Sequence, residues 1–168
     1  MTETEGAAGQ QTITSFISKA YDETVTLIEE MSDYLLNHAR QDRESLPLDV
    51  QALYAGESIR LTTRLTQLMA WLLNHKAVQT GEISRADADR LDRRLGSVET
   101  CLKPAAPGVE KLPETLKSLM DRSEELYRRV LRLDRHGPPV PGESPVHGLI
   151  RSLSDDLANG APPERQSS

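Results

Sequence analysis

At 168 residues the chain is long enough for one domain with a buried core. An apolar fraction of 37% with only 4% aromatic residues suits a slim helical bundle and argues against a β-sandwich or an α/β enzyme. The net charge is -6 with both signs interspersed, so no basic stripe for a phosphate backbone is present and nucleic acid is disfavoured as a main partner.

Residues 1–13 are rich in Gly, Ala, Gln and Thr and are predicted to form a disordered N-terminal segment. This start lacks the basic residues and apolar core of a signal peptide, and no apolar run approaches the roughly 20 residues that span a bilayer. A cytoplasmic protein without membrane association is expected. The bundle domain is predicted over 14–135. Its first helix runs from about Thr14 to Gln41, with Ile17, Ala20 or Tyr21, Thr24, Ile28, Met31, Leu35 and His38 along a heptad-like seam. Pro47 ends the turn that follows and suits the first turn of a second helix, with Ser45 as cap.

The second helix is predicted from Leu48 to Gln79, stopped by Gly81. Leu61, Leu65, Leu68 and Leu72 recur at spacings of four and three and form its core face. A third segment, Ser84–Leu102, opens on a capping-box-like Ser84/Asp87 pair but contains Gly96, which costs about 1 kcal/mol against Ala in a helix. Lys103–Gly108 is a break. The last helix, from Leu112 or Pro113 to Arg135, has a strict repeat of Leu112, Leu116, Leu119, Ser123, Leu126, Val130 and Leu133. Residues 136–168 turn to Pro, Gly and Ser and read as a flexible tail. Within it Val146, Leu149, Ile150, Leu153 and Leu157 keep helical spacing over 146–157. Such a segment suits a short amphipathic helix in a partner's groove, a contact with its own bundle, or no fixed structure. The expected fold class is all-α: an antiparallel three-helix bundle with an additional shorter helix and disordered N- and C-terminal tails.

Little in the sequence points to chemistry. No Glu-x-x-His pair, phosphate loop, nucleophile elbow or Cys-His pair is present, and the four histidines lack zinc-ligand spacing. His38 and His75 fall near the ends of predicted helices, where they suit the helix dipole. The single cysteine, Cys101, reads as a structural thiol. No enzyme, metal or cofactor is expected.

The second helix carries two further stripes. Glu57, Arg60, Arg64, Gln67 and Trp71 share one face, and two arginines leading to the only tryptophan suggest partner recognition. Solvated charges beside a half-buried Trp71 are the plainer reading of the same stripe. Ile59, Thr62, Thr66, Met69 and Leu73 form the other, an apolar or small-residue stripe with more apolar surface than a slim bundle needs; a homodimer interface is expected there, at Ile59, Thr66, Met69 and Leu73. A helix-turn-helix within Ser84–Leu102 would make the chain a DNA-associated transcriptional regulator, but Asp87, Asp89 and Asp92 would repel phosphate.

The stretch Glu57–Leu73, ESIRLTTRLTQLMAWLL, with the polar HKAVQTGEIS after it, resembles the bacterial regulator of CtrA degradation family, from about Phe16 to Arg135 and again at Pro145–Leu153. The resemblance implies a homodimeric three-helix bundle acting as a non-enzymatic adaptor that helps deliver cell-cycle regulatory proteins to the ClpXP protease. It further implies response-regulator-like and cyclic-dinucleotide-sensing partners. On this reading Glu57, Arg60, Arg64, Gln67 and Trp71, with Val146, Leu149, Ile150 and Leu153 of the tail, are the expected partner contacts.

Overall fold

A computed structural model describes residues 3–90 and 93–136. Three long helices, α1 (Glu3–Asn37), α3 (Leu48–Thr80) and α6 (Glu114–His136), make the bundle. Three short ones, α2 (Ala39–Ser45), α4 (Arg85–Ala88) and α5 (Val98–Cys101), lie in the connections, and a 3₁₀ turn covers Val109–Lys111. No strand occurs among the described residues, as the apolar periodicity predicts. The tail is predicted over 136–168; His136 closes α6, and 137–168, including the segment at 146–157, lie outside the described residues.

The direction of each helix follows from its side-chain pairs. Lys76 Nζ sits 3.9 Å from the ring centre of Tyr21, while Tyr54 and Tyr34 meet hydroxyl to hydroxyl at 3.3 Å, so α1 and α3 run antiparallel. Glu30 pairs with Arg122 and Glu23 with Arg129, so α1 and α6 are antiparallel as well. Arg64 reaches Ser123 and Trp71 reaches Asp134, which makes α3 and α6 parallel. The long connection 81–113 carries the chain back along the bundle to allow this.

The core lies between the three helices. Ile17, Ala20, Thr24, Leu27 and Tyr34 of α1 meet Leu61, Leu65, Leu68 and Leu72 of α3 and Leu116, Leu119, Leu126 and Val130 of α6, all buried. The α3 and α6 seams match their predicted repeats. On α1 the seam passes through Leu27 and Tyr34 rather than Ile28 and Leu35, and Leu35 is exposed. The buried positions Ile13, Ile17, Ala20, Thr24, Leu27 and Tyr34 keep a strict four-three repeat of their own, in the frame that takes Ala20 rather than Tyr21.

Four boundaries differ from the sequence prediction. The α1 helix begins at Glu3, so most of the segment expected to be disordered over 1–13 is helical; nothing there but Gly6 and Gly9 opposes extending a helix already nucleated further along. The first helix ends at Asn37, and α2 sets off after His38 with φ of -129°. That bend lets the Tyr34 hydroxyl donate to Asp42 Oδ2 at 3.0 Å, eight residues on, across what would be about 12 Å of straight helix. Pro47 is itself the cap residue of α3, its carbonyl accepting from Val50 and Gln51. Among the described residues of the expected helix Ser84–Leu102, α-helix is confined to two single turns. Ser84 does cap the first, accepting from the Asp87 N–H at 3.1 Å. At its far end Ser97 takes φ of 60°, and the Gly96 backbone comes so near α3 that an added Cβ would lie 2.8 Å from Gln67 Oε1. A continuous helix cannot pass through the left-handed Ser97. These single turns also provide no recognition helix for DNA.

Candidate functional site

The predicted recognition stripe of α3 turns inward. Arg64 is 1% exposed, Trp71 2%, and Glu57 and Arg60 are buried. The 81–113 connection lies over this stripe, held directly by Arg60, Arg64 and Gln67 and, through Asp134, by Trp71. Arg60 Nη1 donates to the Lys103 carbonyl at 2.5 Å and its Nε to Glu57 Oε2 at 2.8 Å. Arg64 Nη2 and Nε donate to the Cys101 carbonyl at 2.6 and 3.1 Å. Its Nη1 donates to the Met120 carbonyl and to Ser123 Oγ, both at 2.9 Å. Gln67 Oε1 accepts from the Gly96 N–H at 3.2 Å. Trp71 Nε1 donates to Asp134 Oδ1 at 2.7 Å, and Arg94 Nε takes Asp134 Oδ2 at 3.1 Å.

The assignment of Glu57, Arg60, Arg64 and Trp71 as partner contacts is therefore corrected: these side chains fasten the connection to α3 and α6. Arginine suits that task because its planar fork serves several carbonyls at once. Burial lowers the Arg64 pKa, partly offset by Glu124, and arginine stays charged regardless. Val146, Leu149, Ile150 and Leu153 lie outside the described residues.

His75 also departs from expectation. It is buried one turn beyond Trp71, their ring centres 3.8 Å apart. Burial, then the Arg85 charge, pushes its pKa below the usual histidine value. The ring is neutral at pH 7, so it packs rather than serving the helix dipole. Burial raises the Cys101 thiol, in keeping with a structural role.

The opposite side of α3 is bare. Ile59 is 67% exposed, Leu73 50% and Leu48 83%. Ala52, Ala55, Gly56, Thr62, Thr66 and Ala70 continue the exposed stripe between them, with Met69 half-buried at its edge. The predicted dimer residues Ile59, Thr66 and Leu73 are thus solvent-facing. Between Val50 and Asn74 the only formally charged side chains of α3 are Glu57, Arg60 and Arg64, and all three are buried. This face consequently presents no charge along most of the helix. By contrast, the exposed sides of α1 and α6 carry Lys19, Asp22, Glu29, Glu30, Asp121, Arg122, Glu125, Arg128 and Arg132.

Hydroxyls do not restore polarity there. Ser58, Thr62, Thr63 and Thr66 each donate to the carbonyl four residues earlier, at 2.8 to 2.9 Å. Bonding back to the helix occupies the polar atoms and leaves the threonine methyls as outer surface. With Ile59 and Gln67 these residues line a shallow groove. Sequence reasoning found Ile59, Thr62, Thr66, Met69 and Leu73 but missed Ser58 and Thr63 as parts of the same surface. The signal available was the lack of charge along the whole stripe.

Among the described residues no helix is long and apolar enough to cross a membrane, and no group of three or more His, Cys, Asp or Glu is placed to hold a metal. A family described as "Protein of unknown function (DUF1465)" matches residues 9–157. The chain belongs to this family. The crystal structure of RcdA from Caulobacter crescentus is 36% identical, with a TM-score of 0.60 over 73% of this chain and 91% of that one. Family membership by sequence and likeness in structure agree, and the chain is RcdA-like, as the resemblance carried by Glu57–Leu73 implies. No curated protein matches the sequence.

Proposed function

We propose that this RcdA-like protein is a cytoplasmic adaptor in regulated proteolysis that acts by contact and not by chemistry. The observation that carries the reading is the uncharged outer face of α3, from Ala52 to Leu73, on a chain 36% identical to RcdA. An exposed apolar patch of this extent on a small bundle marks an interaction surface. The buried latch on the other side of α3 makes that surface rigid, which lowers the entropy cost of binding. A cell-cycle regulatory protein bound here, while another part of the adaptor contacts the ClpXP system or its response-regulator-like and cyclic-dinucleotide-sensing partners, would meet the protease at raised effective concentration.

The test is affinity capture of tagged protein from its own host, comparing wild type with Ile59→Asp. The Ile59 side chain is exposed, so the substitution leaves the fold intact while placing a charge in the apolar face. Loss of co-eluting protease components or substrates with Ile59→Asp supports the reading; an unchanged set of partners overturns it.

A further inference from the structure

Side chains three and four residues apart on a helix are neighbours, and like charges placed there repel. Around Arg132 those places on α6 hold Arg128, Arg129 and Arg135. A helix C-terminus favours cations, but only over its last turn, and Arg128 and Arg129 stand further back. Nothing in the fold offsets the repulsion at Arg132 and Arg135: both are exposed, and neither has an ion-pair partner among the described residues. Arg40, Arg85 and Arg122, by contrast, each face a carboxylate. A sequence that breaks a local rule without a return in stability points to function.

The 81–113 connection adds to the same corner. Arg94 Nε donates to Asp134 Oδ2 at 3.1 Å, which brings residues 93 and 94 against the last turns of α6. Asp134 also accepts from Trp71 Nε1 at 2.7 Å, and the Tyr127 hydroxyl donates to the Gly96 carbonyl at 2.6 Å, so the connection is fixed here. Arg128 rests on Glu124 Oε1 with half of its side chain exposed. Glu124 and Asp134 answer Arg128 and Arg94; Arg93, Arg132 and Arg135 are left without a carboxylate among the described residues. We infer that this corner, the C-terminal turns of α6 with Arg93 and Arg94 beside them, is a docking site for a short acidic segment of a partner protein.

The chemistry selects the occupant. All five cations are arginines, whose planar forks take carboxylates two bonds at a time. Arg128, Arg132 and Arg135 share one stripe that spans about 10 Å along the helix axis. Their steps of about 6 and 4.5 Å match acidic residues four and three apart on a partner helix. One turn further back the same stripe becomes acidic, with Glu125 and then Asp121 exposed. A long polyanion laid along α6 would be repelled there, so the corner accepts two or three carboxylates and not a nucleic-acid backbone. It lies on the side of the bundle that carries the connection, away from the outer face of α3, so docking here does not compete with contacts made there. The inference stands whether or not the adaptor reading holds.

The test is an NMR titration of the full-length protein, read at the arginine Nε–H signals. The probe is a synthetic alanine-based helical peptide with three glutamates spaced four and three apart, and its control has glutamine in their place. The expected result is saturable shifts at Arg93, Arg128, Arg132 and Arg135 with the glutamate peptide and none with the control. Affinity should fall as salt is raised, because the charges are exposed. The double variant Arg132→Gln, Arg135→Gln should bind about tenfold more weakly, a loss of about 1.4 kcal/mol. Arg40→Gln, an exposed change on α2 at the far end of the bundle, should bind as the wild type does. No saturable shift, shifts scattered over the whole surface, or an unchanged affinity in the double variant overturns the proposal. So does tighter binding of a duplex DNA oligonucleotide at the same signals and salt, since the occupant is then a nucleic acid. Failure of the adaptor reading shows elsewhere, as unchanged partner capture by Ile59→Asp.

Discussion

Replacing Arg64 by methionine separates a fastening role from a recognition role. Methionine keeps much of the aliphatic volume but removes every donor. The Cys101 carbonyl then loses both its bonds from the guanidinium, and the Met120 carbonyl and Ser123 Oγ lose one each. A buried polar group left without its partner costs about 1–3 kcal/mol, and breaking a buried charge interaction by truncating one side costs about 3–5 kcal/mol. Ser123 still donates to the Met120 carbonyl, so the loss falls mainly on Cys101. A destabilisation of about 3 kcal/mol is expected. At a urea m-value of about 2 kcal/mol/M this lowers the unfolding midpoint by about 1.5 M with unchanged slope. A loss below about 0.5 kcal/mol, typical of surface substitutions, would refute the latch and return Arg64 to a solvated face.

Arg122→Ala, which removes the exposed pair with Glu30, should cost under about 1 kcal/mol despite its bidentate geometry, by the same urea assay. Leu65→Ala should cost about 2–5 kcal/mol, since Leu65 is buried between the helices. The His75 pKa is lowered in the folded protein, so the unfolded chain binds the proton more readily. Stability is then full above the unfolded value near 6.5 and falls with pH below it, by at most about 1.4 kcal/mol per unit, until the folded pKa is passed. His75→Gln should flatten that slope. Thr66→Asp should leave the melting temperature nearly unchanged, because the side chain is exposed and its hydroxyl bonds only to its own helix.

Long apolar repeats were legible from the sequence because burial on one face enforces them. The Leu61–Leu72 and Leu116–Val130 seams sit where their spacing puts them, and Gly81 ends α3 in the left-handed conformation its position suggests. Connections were less legible. Whether Ser84–Leu102 is helical depends on Gln67 and Arg64 reaching across from α3, contacts that local spacing does not encode. The same contacts explain the misread stripe. Arg60, Arg64 and Trp71 share a face as their spacing requires, but whether that face meets solvent depends on where the 81–113 connection lies. The uncharged face opposite was visible only in part: Ser58 and Thr63 join the stripe once their hydroxyls are seen bonded back to the helix.

Adaptor action through the outer face of α3 is tested most directly by reconstituted degradation. Purified ClpXP would be given CtrA together with the response-regulator-like and cyclic-dinucleotide-sensing partners that the family resemblance implies. The half-life of CtrA should shorten when this protein is added, and should not shorten with the Ile59→Asp, Thr66→Asp variant at equal concentration and intact fold. An unchanged half-life with the wild-type protein, or full activity of the double variant, would contradict the account.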